Sequence, residues 1–387
     1  MIEYLSPVSK SVLAHREVLP NGVLGKQILV HQTKGDLPDF DKVTFAILGV
    51  KENRNDLDFL GEKLSFDEIR KSLYSLYPGN WSHTIVDLGD IENGNTTQDT
   101  YFAMRQVIES LLDKKIVPLI LGGGQDLAYA QYRSYDVLGN MVNISNVDCN
   151  FDLGDADLPI TNKSYVGKII VDKPYSLFNY SNIGYQSYYN SPEEISLMNK
   201  LFFDSYRLGE VVNDITIVEP ILRDSDIVII DVNAIKSADL SYKNSRSPNG
   251  FDGREICTIA RYAGISNKVS SFGVYELKNF NESKSANMLI AQIFWYFIEG
   301  FNFRVSDDDF SNESLYRTYR VPIEDEVLMF KKSNKTGRWW IELPFISNVN
   351  NKLKRQTLLP CTYEEYVGAC NQELPERWLK ACRKNEV

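Results

Sequence analysis

A chain of 387 residues can bury a full core and exceeds the common size of one domain, so a large domain with an appendage is expected. A net charge of −10 argues against a nucleic-acid or anionic-membrane surface. Five scattered cysteines without a Cys-x-x-Cys pair suit a reducing compartment; with no apolar run of membrane-spanning length and no signal-like start, the expectation is a cytoplasmic protein.

Residues 1–42 mix prolines and glycines with short apolar runs and read as a loosely structured N-terminal arm. Val43–Val50 is the first strand. Ser65–Tyr77 reads as an amphipathic helix, with Ser65 as N-cap and Glu68 three residues later. A strand at Thr84–Leu88 and a helix at Thr97–Lys114 follow; Phe102, Met104, Val107, Ile108, Leu111 and Leu112 recur at helical spacing. Strand Ile116–Leu121 runs into Gly122-Gly123-Gly124-Gln125-Asp126 and a helix from Gln125 to Tyr135. Such a turn can cradle phosphate, but Gly-Lys-Ser/Thr and Rossmann glycine spacing are both missing. Strand Met141–Val147 precedes an irregular stretch, 153–178. Next come a strand at Asn182–Gln186, helical segments at Pro192–Phe203 and Thr216–Leu222, and a strand at Asp226–Ile230. Helix Asp252–Ala263, strand Val269–Tyr275 with Glu276 at its end, and helix Lys284–Glu299 complete a main domain spanning 43–304. Alternating strands and helices imply α/β architecture with a parallel sheet covered on both faces.

Residues 305–387 read as a C-terminal appendage of a hairpin plus short helices. Asp307-Asp308-Asp309 looks like a linker. Val327–Phe330 and Trp339–Leu343 flank a turn-rich segment and predict the hairpin, followed by helices at Thr362–Asn371 and Pro375–Arg383. Trp339, Trp340 and Trp378 either pack the appendage onto the body or form a partner-binding surface. Adjacent residues of a strand face opposite ways, so one of Trp339 and Trp340 is expected to be partly exposed or under Trp378.

Three apolar runs end in ligand-capable side chains: Gln125-Asp126 after the first, Asp148, Asn150 and Asp152 after the second, Asp231 and Asn233 after the third. Spacing of two puts Asp148, Asn150 and Asp152 on one side of an extended chain. Over roughly residues 43–300 this order resembles the ureohydrolase family of arginases, agmatinases and formimidoylglutamases, with its Gly-Gly-(Asp/Gly)-His, Asp-Ala-His-x-Asp and Asp-x-Asp motifs. Gly49-Val50, the surroundings of Arg70, and Asp87-Leu88-Gly89-Asp90 also look like that family. The resemblance implies a three-layer αβα fold with a central, mostly parallel sheet. It also implies two Mn²⁺ ions whose shared hydroxide attacks an amidino or guanidino carbon. The first metal would take Gln125, Asp148, Asp152 and Asp231; the second Asp148, Asn150, Asp231 and Asn233. Glu276 matches a family glutamate that contacts the amidinium. Family members often form trimers or hexamers, which the appendage would block or replace.

The chain departs from that pattern where the metals would bind. Gln125 and Asn150 stand where the family has histidine, and Asn233 where it has aspartate. His15, His31 and His83 lie outside the motifs. Amide carbonyls are hard, neutral donors, and the all-oxygen set suits one Mg²⁺ or Ca²⁺ at most. Such an ion does not recreate a hydroxide shared by two metals. Without a cation, Asp148, Asp152 and Asp231 repel one another, so a raised carboxyl pKa or a basic side chain is expected there. Ser164–Ile169 does not match the family's substrate loop, and Lys278-Asn279 replaces its Asn-Pro. Cys149 is expected to face away from the site, and no residue stands out as catalytic. The reading is a non-catalytic binding or scaffold protein with an unidentified protein partner, without a di-manganese centre. The alternative is a metal-dependent hydrolase of linear amidines with an altered metal site.

Overall fold

The computed structural model describes residues 1–58, 61, 63–240, 247–278, 283–307, 310, 312–324, 326–344 and 358–386. Runs such as Phe45-Ala46-Ile47-Leu48 lack polar alternation because both of their faces are covered. Phe45 and Ile47 join one apolar layer, and Ala46 and Leu48 the other. Nine strands share this sheet: β1 (Leu29–Val30), β2 (Val43–Val50), β3 (Thr84–Ile91), β4 (Val117–Gly122), β5 (Val142–Val147), β6 (Leu177–Tyr185), β7 (Asp204–Arg207), β8 (Ile227–Asp231) and β9 (Ser271–Tyr275). Their order is β1-β3-β2-β4-β9-β8-β5-β6-β7, and every pairing is parallel. The four strands that carry the motifs, β4, β9, β8 and β5, are therefore consecutive neighbours. Helices pack on both faces, giving the α/β layering. Among the described residues no helix is long and apolar enough to cross a membrane.

The arm is not loose. Helix α1 (Lys10–Val18) is capped by Ser9, whose side chain accepts from the Val12 amide, and α2 (Leu24–Gln27) leads into β1. Ser6 exchanges backbone hydrogen bonds with Asp90, at 2.7 and 2.9 Å. Gly89 makes that approach possible: its φ is +78°, and a Cβ there would stand 2.0 Å from Ser6 O. Val8, Val12, Leu24 and Ile28 are buried beneath it. Helix α3 (Asp67–Tyr74) has Phe66 rather than Ser65 at its N-cap; the Ser65 hydroxyl accepts from the Asp67 amide at 3.4 Å. Helix α4 (Thr97–Asp113) carries a Thr96/Asp99 capping box, and α5 (Leu127–Arg133) follows the glycine turn.

The stretch 153–178 is not wholly irregular: it contains helix α6 (Tyr165–Val171) and the first residues of β6. After α7 (Pro192–Lys200), the edge strand β7 and helix α8 (Leu208–Asn213) stand where no elements were expected. Helices α9 (Val218–Arg223), α10 (Ser237–Leu240), α11 (Gly253–Ile265) and α12 (Lys284–Phe301) complete the main body.

The C-terminal hairpin forms, but within a larger unit. Strands β10 (Tyr316–Ile323), β11 (Glu326–Ser333), β12 (Trp339–Glu342) and β13 (Leu358–Cys361) make an antiparallel sheet, followed by α13 (Tyr363–Cys370) and α14 (Glu376–Glu386). Asp307 is no solvated linker residue: its carboxylate accepts from the Thr336 hydroxyl and pairs with Arg338 at 3.6 Å. Asp308 and Asp309 lie outside the described residues.

Of the two alternatives for the second tryptophan of β12, exposure is not what the structure shows; Trp339 lies in one buried cluster with Trp378. Trp339, Trp340 and Trp378 are only 6, 4 and 5 % exposed. Trp339 stacks on Tyr366 of α13, with 4.7 Å between ring centroids. Trp378 donates to Glu342 O at 2.8 Å. Trp340 turns the other way, its ring 4.5 Å from the guanidinium of Arg223. Alternation along β12 holds, but α13 and α14 cover one face and the main body the other. Trp340 therefore packs the appendage against the main body, Trp339 and Trp378 pack within the appendage, and none of the three forms an open partner surface.

Candidate functional site

In a parallel sheet the carboxyl ends of the strands open into the region where ligands bind. Four neighbouring strands deliver polar side chains there: Gln125 after β4, Asp148 after β5, Asp231 at the end of β8 and Glu276 after β9. Gln125, Asp148 and Asp231 are fully buried, and Asp152 and Glu276 are 2 % exposed. Asp152 (φ +53°) and Glu276 (φ +59°) adopt the left-handed region as the chain leaves the sheet. Asn150 and Asn233 are only half-buried.

Several of these side chains hydrogen-bond to one another. Gln125 turns its amide nitrogen toward the cluster. Nε2 donates to Asp148 Oδ2 at 2.7 Å and lies 3.2 Å from both Asn146 Oδ1 and Tyr165 Oη. Asn146 Nδ2 also reaches Asp148 Oδ2, at 3.1 Å, and the Asn150 amide caps Oδ1 at 2.9 Å. Asn150 Nδ2 donates to Tyr189 O at 3.1 Å. The backbone amide of Asn233 donates to Asp231 Oδ1 at 2.7 Å. Glu276 Oε1 accepts from the Gln125 amide at 2.9 Å and from Asn162 Nδ2 at 3.1 Å, and Lys278 Nζ lies 4.0 Å from Oε2.

A second basic residue enters this cluster, and the motif pattern did not point to it. Lys163 Nζ lies 3.4 Å from Asp152 Oδ1, 3.4 Å from Asn150 Oδ1 and 4.0 Å from Asp231 Oδ2. All three are positions where the family resemblance implies metal ligands. Lys163 and its neighbour Asn162 sit on the turn before α6, in the stretch expected to be irregular. Counting charge was the available signal: three converging carboxylates require a counter-charge.

Burial, then the Asp148 charge, pushes the Asp152 carboxyl well above the usual carboxylate range, with Lys163 opposing. Asp231 is raised for the same reasons. Burial alone lowers the Lys163 pKa. Asp152, Asp148, Asp231 and Glu276 outweigh it and hold the ammonium well above its usual value. Asp126, which accepts from the Tyr101 hydroxyl, is pushed up to about 7, chiefly by burial. Burial, then the Asp148 and Asp231 charges, pushes the Cys149 thiol far up, which leaves it no thiolate character at neutral pH.

These residues do not fit a two-metal centre. The Gln125 amide presents a donor to Asp148, Asn150 and Asn233 bring neutral amides, and an ammonium stands among the carboxylates. Among the described residues, no group of three or more His, Cys, Asp or Glu side chains is arranged to hold a metal ion. The arrangement gathers buried carboxyl groups around one ammonium.

Comparison with known proteins bears on the family and the fold. A sequence model described as the Arginase family matches residues 44–299. The chain is similar to formimidoylglutamase of Geobacillus sp. (strain WCH70), 21% identical over 239 residues, covering 59% of this chain and 73% of that protein. It is also similar to formimidoylglutamase of Legionella pneumophila (strain Lens), 24% identical over 265 residues, covering 63% and 81%. Among solved structures, formimidoylglutamase from Bacillus subtilis superposes with a TM-score of 0.62 at 16% identity, covering 69% of this chain and 90% of that one. Trypanosoma cruzi formiminoglutamase with Mn²⁺ gives 0.61 at 15% identity, covering 70% and 97%.

Proposed function

The chain belongs to the arginase family, and we propose that within it this protein is a ureohydrolase-fold binding or scaffold protein that does not hydrolyse amidines through a di-manganese centre. One observation carries the reading: Lys163 and Gln125 supply from within the chain the donors and charge that Asp148, Asp152 and Asp231 would otherwise find in metal. The substrate side points the same way, because Asn162 and the Gln125 amide take up Glu276 Oε1, an oxygen an amidinium would need. Protein purified without chelator should carry no stoichiometric Mn²⁺. With Mn²⁺ added, it should not hydrolyse N-formimidoylglutamate or agmatine above background. Two tightly bound Mn²⁺ per chain, or turnover that depends on added Mn²⁺, would overturn the proposal.

The second reading is a metal-dependent hydrolase of linear amidines. The formimidoylglutamase names of its relatives favour it, as does the retention of Asp148, Asp152, Asp231 and Glu276. It requires the metal to displace Lys163, so the same assay separates the two.

A further inference from the structure

Four buried oxygens of the cluster lack a hydrogen-bond partner: both carboxylate oxygens of Asp152, Asp231 Oδ2 and Gln125 Oε1. Desolvated acceptors of this kind are costly unless a cation compensates them. Lys163 Nζ is placed within ion-pair distance of two of them, Asp152 Oδ1 and Asp231 Oδ2.

The segment that brings it there is braced, not loose. Ser164 Oγ accepts from the Thr161 amide at 2.9 Å, and Thr161 Oγ1 from the Lys163 amide at 3.2 Å. Asn162 bonds backbone to backbone with Asn55 O at 3.1 Å, and its side chain reaches Asp56 and Glu276, each at 3.1 Å. Gly154 (φ +48°) lets the turn settle this close: a Cβ there would meet Ser164 Cβ at 2.4 Å and Lys163 O at 2.8 Å.

We propose that Lys163 is the resident cation of this site, its ammonium standing in for the metal charge and keeping divalent ions out. The inference rests on the non-catalytic reading above. It adds that, once the lysine charge is removed, the buried Asp148, Asp152 and Asp231 carboxylates need another cation to compensate them.

The test loads wild type, Lys163→Ala and Lys163→Arg with MnCl₂, MgCl₂ or CaCl₂, dialyses them, and counts ions per chain by elemental analysis. Wild type and Lys163→Arg should retain none. Lys163→Ala should retain one per chain and lose it when Asp152→Asn is added. A folded Lys163→Ala that retains no ion overturns the inference while leaving the non-catalytic reading intact. Two Mn²⁺ on the wild type overturn both.

If Lys163→Ala is unstable, Lys163→Met keeps the apolar stem. A rise in its Tm on adding Mn²⁺, with none in wild type, supports the inference, and equal rises in both overturn it. A measurement without variants is a wild-type crystal grown with MnCl₂. Anomalous signal among the carboxylates refutes the inference, and Lys163 Nζ occupying that space without such signal supports it.

Discussion

Replacing Trp340 by Ala tests whether the appendage is clamped to the main body or merely attached. The ring is 4 % exposed, so it buries nearly all of the roughly 150–250 Å² an aromatic side chain contributes. At about 25 cal/mol per Å² that burial amounts to roughly 4–6 kcal/mol as an upper bound. Large aromatic-to-Ala changes in cores cost about 3–5 kcal/mol, and that is the expected loss. Part of it is specific to Arg223, whose guanidinium lies against the ring while Nη2 donates to Trp339 O at 3.2 Å and Cys361 O at 3.3 Å. A double-mutant cycle with Arg223→Met should therefore show a coupling of about 0.5–2 kcal/mol. Urea denaturation followed by circular dichroism is the suitable assay, since the variant removes a fluorescent reporter. A loss below about 1 kcal/mol would refute the clamp, as would stability equal to wild type combined with weakened association with another protein.

Arg70→Met should cost about 3–5 kcal/mol by calorimetry, because it removes the guanidinium 2.9 and 2.7 Å from the buried carboxylates of Asp87 and Asp90, of which Asp90 keeps its pair with Lys51; an unchanged Tm would contradict this. Gly89→Ala should lower Tm and loosen hydrogen-exchange protection at Ser6 and Asp90, since the new Cβ meets Ser6 O; wild-type protection there would count against the packing of the arm. Burial lowers the Lys384 pKa to about 8 from the usual 10.5. Between those values the unfolded chain binds more protons, so this group makes stability rise with pH, and the full cost is felt below pH 8. Lys384→Met should therefore gain on wild type at pH 7, and that advantage should fade by about pH 10.5; a difference independent of pH would show that Lys384 is not desolvated.

The central strands were legible because β2, β4 and β8 are apolar runs that only a doubly covered parallel sheet accommodates. Strand β7, Asp-Ser-Tyr-Arg, was not, because its polar residues carry no apolar run and its pairing with β6 comes from tertiary context. Strand β1 was missed for another reason: two residues have no periodicity. In the site, Gln125, Asp148, Asp152, Asp231 and Glu276 could be named from strand ends and motif order, and the fold brings them together. Asn233 contributes a backbone amide to Asp231, a contact no side-chain motif announces. The carboxylates called for a counter-charge, but that Lys163 supplies it could not be read. Its role comes from where the turn before α6 comes to rest, and a lysine in a polar turn carries no periodic signal. Of the two readings of the tryptophans, their burial supports packing over an open surface; that α13 and α14 cover the sheet's second face is tertiary context that no local pattern reveals.

The Lys163 turn has a consequence for how the site meets its surroundings. A dissolved ion reaches a site according to its free level in the compartment. A tethered ammonium is present at the effective concentration set by its linkage, on the order of millimolar for a short flexible connection and higher for a turn braced at Thr161, Asn162 and Ser164. Its charge arrives with the polypeptide, already at the strand ends when folding completes. Neither metal starvation nor a chelator can remove a counter-ion that is part of the chain.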